Sequence, residues 1–332
     1  MRMAVRLRVT PEDFRVDEVP LYPAAGEGEH TFVRIEKRLR TTEEVARNLA
    51  RAAGVSPRDV GYAGRKDRRA VATQWFSVPG LDPERALELG LPGARVLEAA
   101  RHRHKLRTGQ LRANRFDIAV DGVDDALYEA ALERLQHVRA LGFPNRFGAQ
   151  RFGRDGNNAE RALRLLQGER ATGGRRGARF LLSALQASVF NAALAARPSP
   201  PHVLERGDVA VRHDSGGLFV VEDPALEAPR AEAWEISPTG PIFGSRTLEP
   251  LGDVAARERA ALVEQGVDLE ALQLPRGVRL RGARRSLRAR PEEAVLTRAE
   301  QRLRLRFVLP TGSYATVFIE ELLCTVLEEG FE

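Results

Sequence analysis

Apolar and polar residues alternate along several short stretches of the first 140 residues, which is the period of a half-buried strand. Phe14-Arg15-Val16-Asp17-Glu18-Val19-Pro20 alternates in this way, and so does Thr31-Phe32-Val33-Arg34-Ile35-Glu36. Residues 72–78 read as a strand, and Val60 to Gly64 as a short strand entering a glycine turn. Within 115–120, Phe116, Ile118 and Val120 share one face. Helices interrupt the pattern. Thr41-Thr42-Glu43-Glu44 predicts a capping box that opens a helix ending at Gly54. Asp124 predicts the cap of a helix running to about Leu141. Strands and helices at hairpin-like spacing predict an α+β fold rather than the regular βαβ order of a doubly wound sheet.

From about residue 142 the texture changes. Arg-Phe-Gly occurs twice within Asn145 to Gly153, and a helix is expected over 157–167. A loop carrying Gly173, Gly174 and Gly177 among arginines leads into a strong helix over about 179–196. Short strands with glycine turns are expected in 203–221 and a helix in 253–265. Pro291 marks a boundary. Residues 302–309 then alternate cleanly, with Arg302, Arg304 and Arg306 on one face and apolar residues on the other. A final helix over about 313–328 is expected to bury Val317, Leu322, Cys324 and Leu327. The N-terminus runs into alternating charge, and no apolar run reads as a signal peptide or approaches a membrane span, so a soluble cytoplasmic protein is expected.

The 332 residues suit about two domains, and with 43% hydrophobic and 30% charged residues a sizeable core is expected. One cysteine excludes an internal disulfide and a cysteine-rich zinc site. Charge adds more. The balance is +6, and only Lys37, Lys66 and Lys105 among the 52 basic residues are not arginine. Arginine stays charged, forks onto phosphate and stacks on bases, so an anionic partner is expected, nucleic acid first. Genomic base composition accounts equally well for the arginine-to-lysine ratio; it does not account for how the basic residues cluster. Arg101, Arg103, Lys105 and Arg107 share one face if that segment is extended.

Gly61 to Ala70 is the most informative segment. Two glycines make a tight backbone, and Asp67 sits among Arg65, Lys66, Arg68 and Arg69, a setting that holds a carboxylate ionised. It reads as a surface turn with an ion-paired aspartate, or as a reactive carboxylate in a basic patch. Asn114-Arg115-Phe116 begins a strand; Phe116 fits a core position in phase with Ile118 and Val120, and equally an aromatic platform for a base. His102 and His104 lack acidic or cysteine partners nearby, so no metal site is read there. No phosphate loop, dinucleotide fingerprint or Gly-x-Ser-x-Gly elbow occurs.

Seven segments in order resemble the TruD family of tRNA pseudouridine synthases. They are Pro11-Glu12-Asp13-Phe14 with Val16 and Glu18; Lys37 followed by Thr42; and Gly61 through Trp75. Next come Gly109, Leu111, Asn114 and Phe116, and then Asn145, Phe147, Gly148, Gln150, Arg151, Phe152 and Gly153. Ser183, Gln186, Ser188, Phe190 and Asn191 follow, and Phe307, Leu309, Pro310, Gly312, Tyr314, Ala315 and Thr316 close the set. Ala72 and Glu320 depart from the pattern, and 223–290 matches least.

The resemblance implies a V-shaped molecule. A pseudouridine-synthase catalytic domain with a central antiparallel sheet would be built from 1–141 and 290–332, with an inserted α/β domain over 142–289. It implies conversion of uridine to pseudouridine in tRNA, at position 13 and with tRNA-Glu as a substrate, by a monomer with no membrane, metal, nucleotide or other cofactor. It makes Asp67 the catalytic residue and Lys66 the neighbouring cation that keeps it ionised and orients it. Asn114 and Phe116 would line the pocket, with Phe116 partly exposed to stack on the flipped base. Arg101, Arg103, Lys105 and Arg107 would bind RNA with Arg302, Arg304 and Arg306, the two basic faces lying close together. Two other readings compete: a non-catalytic RNA-binding protein on the same scaffold, and a metal-dependent nuclease. The intact Lys66-Asp67 segment favours the enzyme, and the dispersed acidic residues disfavour the nuclease.

Overall fold

The computed structural model describes residues 5–153, 155–270 and 272–330. Its chain divides into two units. The first comprises Met1–Gln136, Pro291–Ala315 and Ile319–Glu332; the second comprises His137–Arg290 with Thr316–Phe318.

The first unit opens with β1 (Arg6–Leu7), β2 (Phe14–Pro20), β3 (His30–Arg38), α1 (Thr42–Ala53), β4 (Gly61–Tyr62) and β5 (Val71–Pro79). It continues with α2 (Pro83–Leu87), β6 (Ala94–His102) and β7 (Leu111–Asp121). Helix α3 (Asp125–Leu141) leads into the second unit, which holds β8 (Phe143–Pro144), α4 (Asn158–Leu166), α5 (Gly174–Ala195), β9 (Val209–Arg212) and β10 (Leu218–Val220). There follow α6 (Pro224–Glu232), β11 (Ile236–Ile242), α7 (Gly252–Glu264), β12 (Ala283–Ser286) and β13 (Arg288–Ala289). The chain returns through β14 (Glu292–Ala299), β15 (Arg302–Pro310), α8 (Ala315–Leu323) and β16 (Glu328–Glu329).

The fold is α+β, and its main sheet is mostly antiparallel. Strand order is β14-β15-β7-β2-β5-β3-β6, with β1 beside β7, β16 beside β1, and β4 on β5. Among the described residues only β2–β5 and β1–β16 pair in parallel within it. Alternation decides the two faces. Phe116, Ile118 and Val120 of β7 and Leu303, Leu305 and Phe307 of β15 are buried, while Arg304 and Arg306 point to solvent. Helix α1 begins as its sequence predicts: the Thr41 hydroxyl accepts from the Glu44 N–H at 3.1 Å, and the Glu44 carboxylate takes the Thr41 N–H at 2.7 Å. Gly54, at φ +72°, ends it. Its Val45 and Leu49 pack on Val33, Ile35, Phe76 and Val78 of the sheet.

In the second unit, β10-β9-β11-β12 form an antiparallel sheet. Helices α4, α5 and α7 share a core built on Leu165, Leu182, Leu185, Val189 and Leu262.

Four expectations need correction. The basic segment 101–107 is not a strand; β6 ends at His102, whose ring turns inward to stack on Phe32 and Tyr22. Its basic residues do not lie beside those of β15, because β7, β2, β5 and β3 separate β15 from β6. The last helix stops at Leu323: Cys324 adopts φ +44° and is exposed rather than buried. Helix α5 starts at Gly174 and is long and apolar enough to cross a membrane, although no such stretch was expected. Leu181, Leu182, Leu185 and Val189 are buried in the second unit's core, as a core helix requires. The early start depends on Gly177, where a Cβ would run into the Thr172 carbonyl.

Candidate active site

Asp67 lies in the segment joining β4 to β5, and four contacts tie that segment down, three through its neighbours and one through its own carbonyl. Gln74 donates its amide N–H to the Gly64 carbonyl at 3.3 Å. The Lys66 N–H donates to the Thr42 hydroxyl at 3.0 Å, and that hydroxyl donates to Gln74 Oε1 at 2.7 Å. The Lys66 ammonium pairs with Glu18 Oε2 at 2.7 Å, both side chains being buried. Lys37 Nζ donates to the Asp67 main-chain carbonyl and to the Arg40 carbonyl, each at 2.7 Å. The backbone is thus fixed on its inner side, and the Asp67 side chain projects outward, 45% exposed.

Its partner is Arg8, whose guanidinium donates to Asp67 Oδ2 at 2.6 Å while itself buried. Arg8 lies 4.0 Å above the Phe14 ring and takes φ +59°, a conformation that non-glycine residues seldom adopt. Asp67 Oδ1 has no hydrogen-bond partner among the described residues. Lys66 therefore plays a different part from the one expected. Its charge is matched by Glu18, and the cation on the carboxylate is Arg8.

Glu18 owes its place to a split in the sheet. β2 runs beside β5 only as far as Asp17 and Thr73, and β4 takes over at Phe76. In the gap the Trp75 N–H finds Glu18 Oε1 at 3.2 Å, leaving Oε2 for Lys66.

Strand register brings the remaining residues to the same face. Glu18 is paired with Asn114 and Asn114 with Leu309; Lys37 is paired with Ala72, Val16 with Phe116 and Phe116 with Phe307. Directly paired positions project to one side. Asn114 Oδ1 is buried without a hydrogen-bond partner among the described residues. Phe116 stacks on Phe307 with ring centres 5.2 Å apart and meets Phe14 edge-on at 6.1 Å. It is only 7% exposed, so the expected open aromatic platform is absent from the unbound protein.

Burial of Lys37 lowers its pKa to about 8, with Asp67 opposing that fall and Lys66 adding to it. Lys37, Glu18 and Arg8 were not singled out from charge or spacing. For two of them a signal exists: Lys37 continues the buried series Val33, Ile35, and Glu18 continues Phe14, Val16, so each is a charge in phase with apolar positions. Arg8 precedes β2 and carries no comparable pattern.

The expected RNA-binding residues are mostly occupied. Arg101 lies 3.5 Å from Asp82, Arg103 pairs with Glu27, and Lys105 donates to the Arg58 carbonyl. Arg302 pairs with Asp13 and Asp121, and Arg304 and Arg306 converge on Asp117. Partial burial works against the Asp117 charge, yet the two arginines hold its carboxyl below the usual range. Arg107 alone of the seven side chains is exposed with no ion pair among the described residues.

Asn145 to Gly153 lies in the second unit. Asn191 brackets Phe147, accepting its N–H at 2.8 Å and donating to its carbonyl at 3.0 Å. Arg285 covers the Phe147 ring at 4.2 Å and bonds Asn145 Oδ1 at 2.7 Å. Among the described residues no group of three or more His, Cys, Asp or Glu is placed to hold a metal ion.

A family model described as tRNA pseudouridine synthase D (TruD) matches residues 2–172 and 175–322. The tRNA pseudouridine synthase D of Anaeromyxobacter sp. (strain Fw109-5) is 46% identical over 325 residues, covering 96% of this chain and 92% of the relative. That of Geobacter metallireducens is 38% identical over 380 residues, covering 96% and 94%. A solved TruD structure from Methanosarcina mazei superposes with a TM-score of 0.73 at 22% identity, covering 98% of this chain and 95% of that one.

Proposed function

Since the chain belongs to the tRNA pseudouridine synthase D (TruD) family, and is thereby a tRNA pseudouridine synthase and an isomerase, we propose that it acts on uridine 13 of tRNA through Asp67. In this reading tRNA-Glu is a substrate, no cofactor takes part, and the protein works in the cytoplasm as a monomer. The reaction breaks N1–C1′, turns the uracil and forms C5–C1′; the proton lost from C5 is balanced by the one gained at N1. Nothing is oxidised and no group enters or leaves, so a positioned carboxylate meets the chemical need.

The observation that carries the reading is the contrast within one segment. Lys66 and the Asp67 carbonyl are tied to α1 and the sheet, while the Asp67 carboxylate faces outward with Oδ2 on Arg8 and Oδ1 unengaged among the described residues. The Arg8 guanidinium fixes Oδ2 and leaves Oδ1 facing outward, where attack on carbon or proton removal needs a carboxylate oxygen. Asn114 would offer its unsatisfied amide oxygen to the uracil edge, and Phe116 would form the floor beneath it. Leaving a buried acceptor unpaired is costly, and a base N–H would satisfy it.

Asp67→Asn tests the assignment. The substitution keeps the shape and removes the charge, so product should vanish while tRNA affinity stays within about tenfold, or ~1.4 kcal/mol. The product is mapped by a chemical adduct of pseudouridine that halts reverse transcription. Substantial turnover by this variant would remove Asp67 from the chemistry.

A further inference from the structure

A cavity of about 600 Å³ opens in the first unit between the start of β3 and the segment after β6. Hydrogen-bond donors dominate its wall. Gln110 Oε1 accepts the Arg107 N–H at 2.6 Å, which leaves the Gln110 NH₂ free to donate. The Tyr22 ring lies parallel to His102 at 5.3 Å, and its hydroxyl has no partner among the described residues. Arg107 lines the same cavity without an ion pair, and His104 adds a further imidazole.

His30 also lines the cavity, but its Nδ1 is shut off from solvent and has no hydrogen-bond partner among the described residues. Burial and the nearby Lys105 and His104 favour the neutral ring, with Glu29 opposing. Glu29 is the one carboxylate on the wall. The other two cations there are engaged elsewhere, Arg103 with Glu27 and Lys105 with the Arg58 carbonyl.

We propose that this cavity binds a phosphodiester group of the RNA substrate, with Arg107 supplying the charge and Tyr22 and Gln110 supplying neutral donors. A guanidinium meets two phosphate oxygens at once, and the Tyr22 hydroxyl and Gln110 NH₂ gain partners when an anion rich in acceptors enters. The space exceeds what one tetrahedral ion fills, leaving room for the chain on either side of the phosphorus. The inference rests on the RNA-modifying function proposed above.

The test is filter binding of an unmodified tRNA transcript to the full chain over a series of salt concentrations. Arg107→Gln should weaken binding about tenfold and reduce the slope of log affinity against log salt by about 0.7–0.9, the share of one phosphate. Arg107 is exposed and its side chain has no partner among the described residues, so the fold should persist, which a thermal melt checks. Tyr22→Phe should lower affinity a few-fold without changing the slope. Pseudouridine formation by the wild-type protein is read in parallel, and its absence would overturn the functional reading while the affinity comparison still judges the cavity. Unchanged affinity and slope in Arg107→Gln would overturn the cavity proposal. So would perturbation of the His30 and His104 NMR signals by inorganic phosphate with no change in the tRNA slope, which marks a site for the free ion.

Discussion

Lys37 reaches Asp67 through the main chain: its buried ammonium donates to the Asp67 carbonyl, while the Asp67 carboxylate is held from outside by Arg8. Backbone and side chain of one residue are thus fixed by two different cations. The carboxylate can change its charge or partner without releasing the backbone that aims it.

Burying that ammonium has a pH signature. With its folded pKa at about 8 against the ordinary 10.5, the unfolded chain binds more protons between those values. The cost of the buried charge is present in full below about pH 8 and is relieved as pH rises toward 10.5. Relative to Lys37→Met, the wild-type protein should therefore gain stability from pH 7 to pH 10, by up to about 3 kcal/mol. Urea unfolding of both proteins at the two pH values measures it, and a constant difference would contradict the burial of the charge. The variant should also lose turnover more than tRNA affinity, because what it loosens is the Asp67 backbone.

The Glu18–Lys66 pair predicts a different response. Both side chains are nearly inaccessible, so Lys66→Met leaves a buried carboxylate alone and should cost about 3–5 kcal/mol. Glu18→Gln combined with Lys66→Met removes both charges and keeps an oxygen for the Trp75 N–H. The double variant should be more stable than Lys66→Met alone. Denaturant melts of wild type, Glu18→Gln, Lys66→Met and the double variant decide it, and additive losses would mean the pair is not coupled.

The parts of this fold legible from sequence are those where one physical signal acts alone. Alternation located β2, β3, β7 and β15, and a capping box with a terminal glycine located α1. Strand β11 was missed because Pro238 and Pro241 interrupt it; it pairs with β9 up to Pro238 and with β12 from Thr239 onward, which spreads the prolines over two partners. The site divides in the same way. Asp67 stands out because a lone carboxylate among cations is conspicuous, but the ordering of those cations is tertiary. Lys66 turns inward to a carboxylate 48 positions earlier in the chain, and Arg8 arrives from 59 positions away. The ion pairs of the β15 arginines were hidden for a related reason. Asp13, Asp117 and Asp121 come from other segments, and only the tertiary structure shows that they pair with Arg302, Arg304 and Arg306.

Arg8 is expected to matter for chemistry more than for stability. Its partner is 45% exposed, so the ion pair itself contributes little to folding. Arg8→Gln should reduce turnover by about 10²–10³, the range for losing one preorganised charged donor. Arg8→Lys keeps the charge but loses the fork, and should fall between. Single-turnover rates at saturating tRNA measure both, and an Arg8→Gln rate within a few-fold of wild type would leave the ion pair without a catalytic part.

Phe116 is where packing and pocket coincide. Its ring stacks on Phe307 and makes a T-shaped contact with Phe14, and only 7% of the residue is exposed. Truncation to Ala should therefore cost about 3–5 kcal/mol, as for any buried phenylalanine. It also removes support from Phe14, on which Arg8 rests, so the effect should reach Asp67. Phe116→Leu separates the two contributions. Leucine refills most of the volume and should recover most of the melting temperature, yet it offers no aromatic floor. The rate per folded molecule should then remain about tenfold below wild type, equivalent to ~1.4 kcal/mol of transition-state stabilisation. Measured well below the melting transition, a wild-type rate in Phe116→Leu would make this residue part of the core alone. A depressed rate with restored stability would place the ring beneath the reacting uridine.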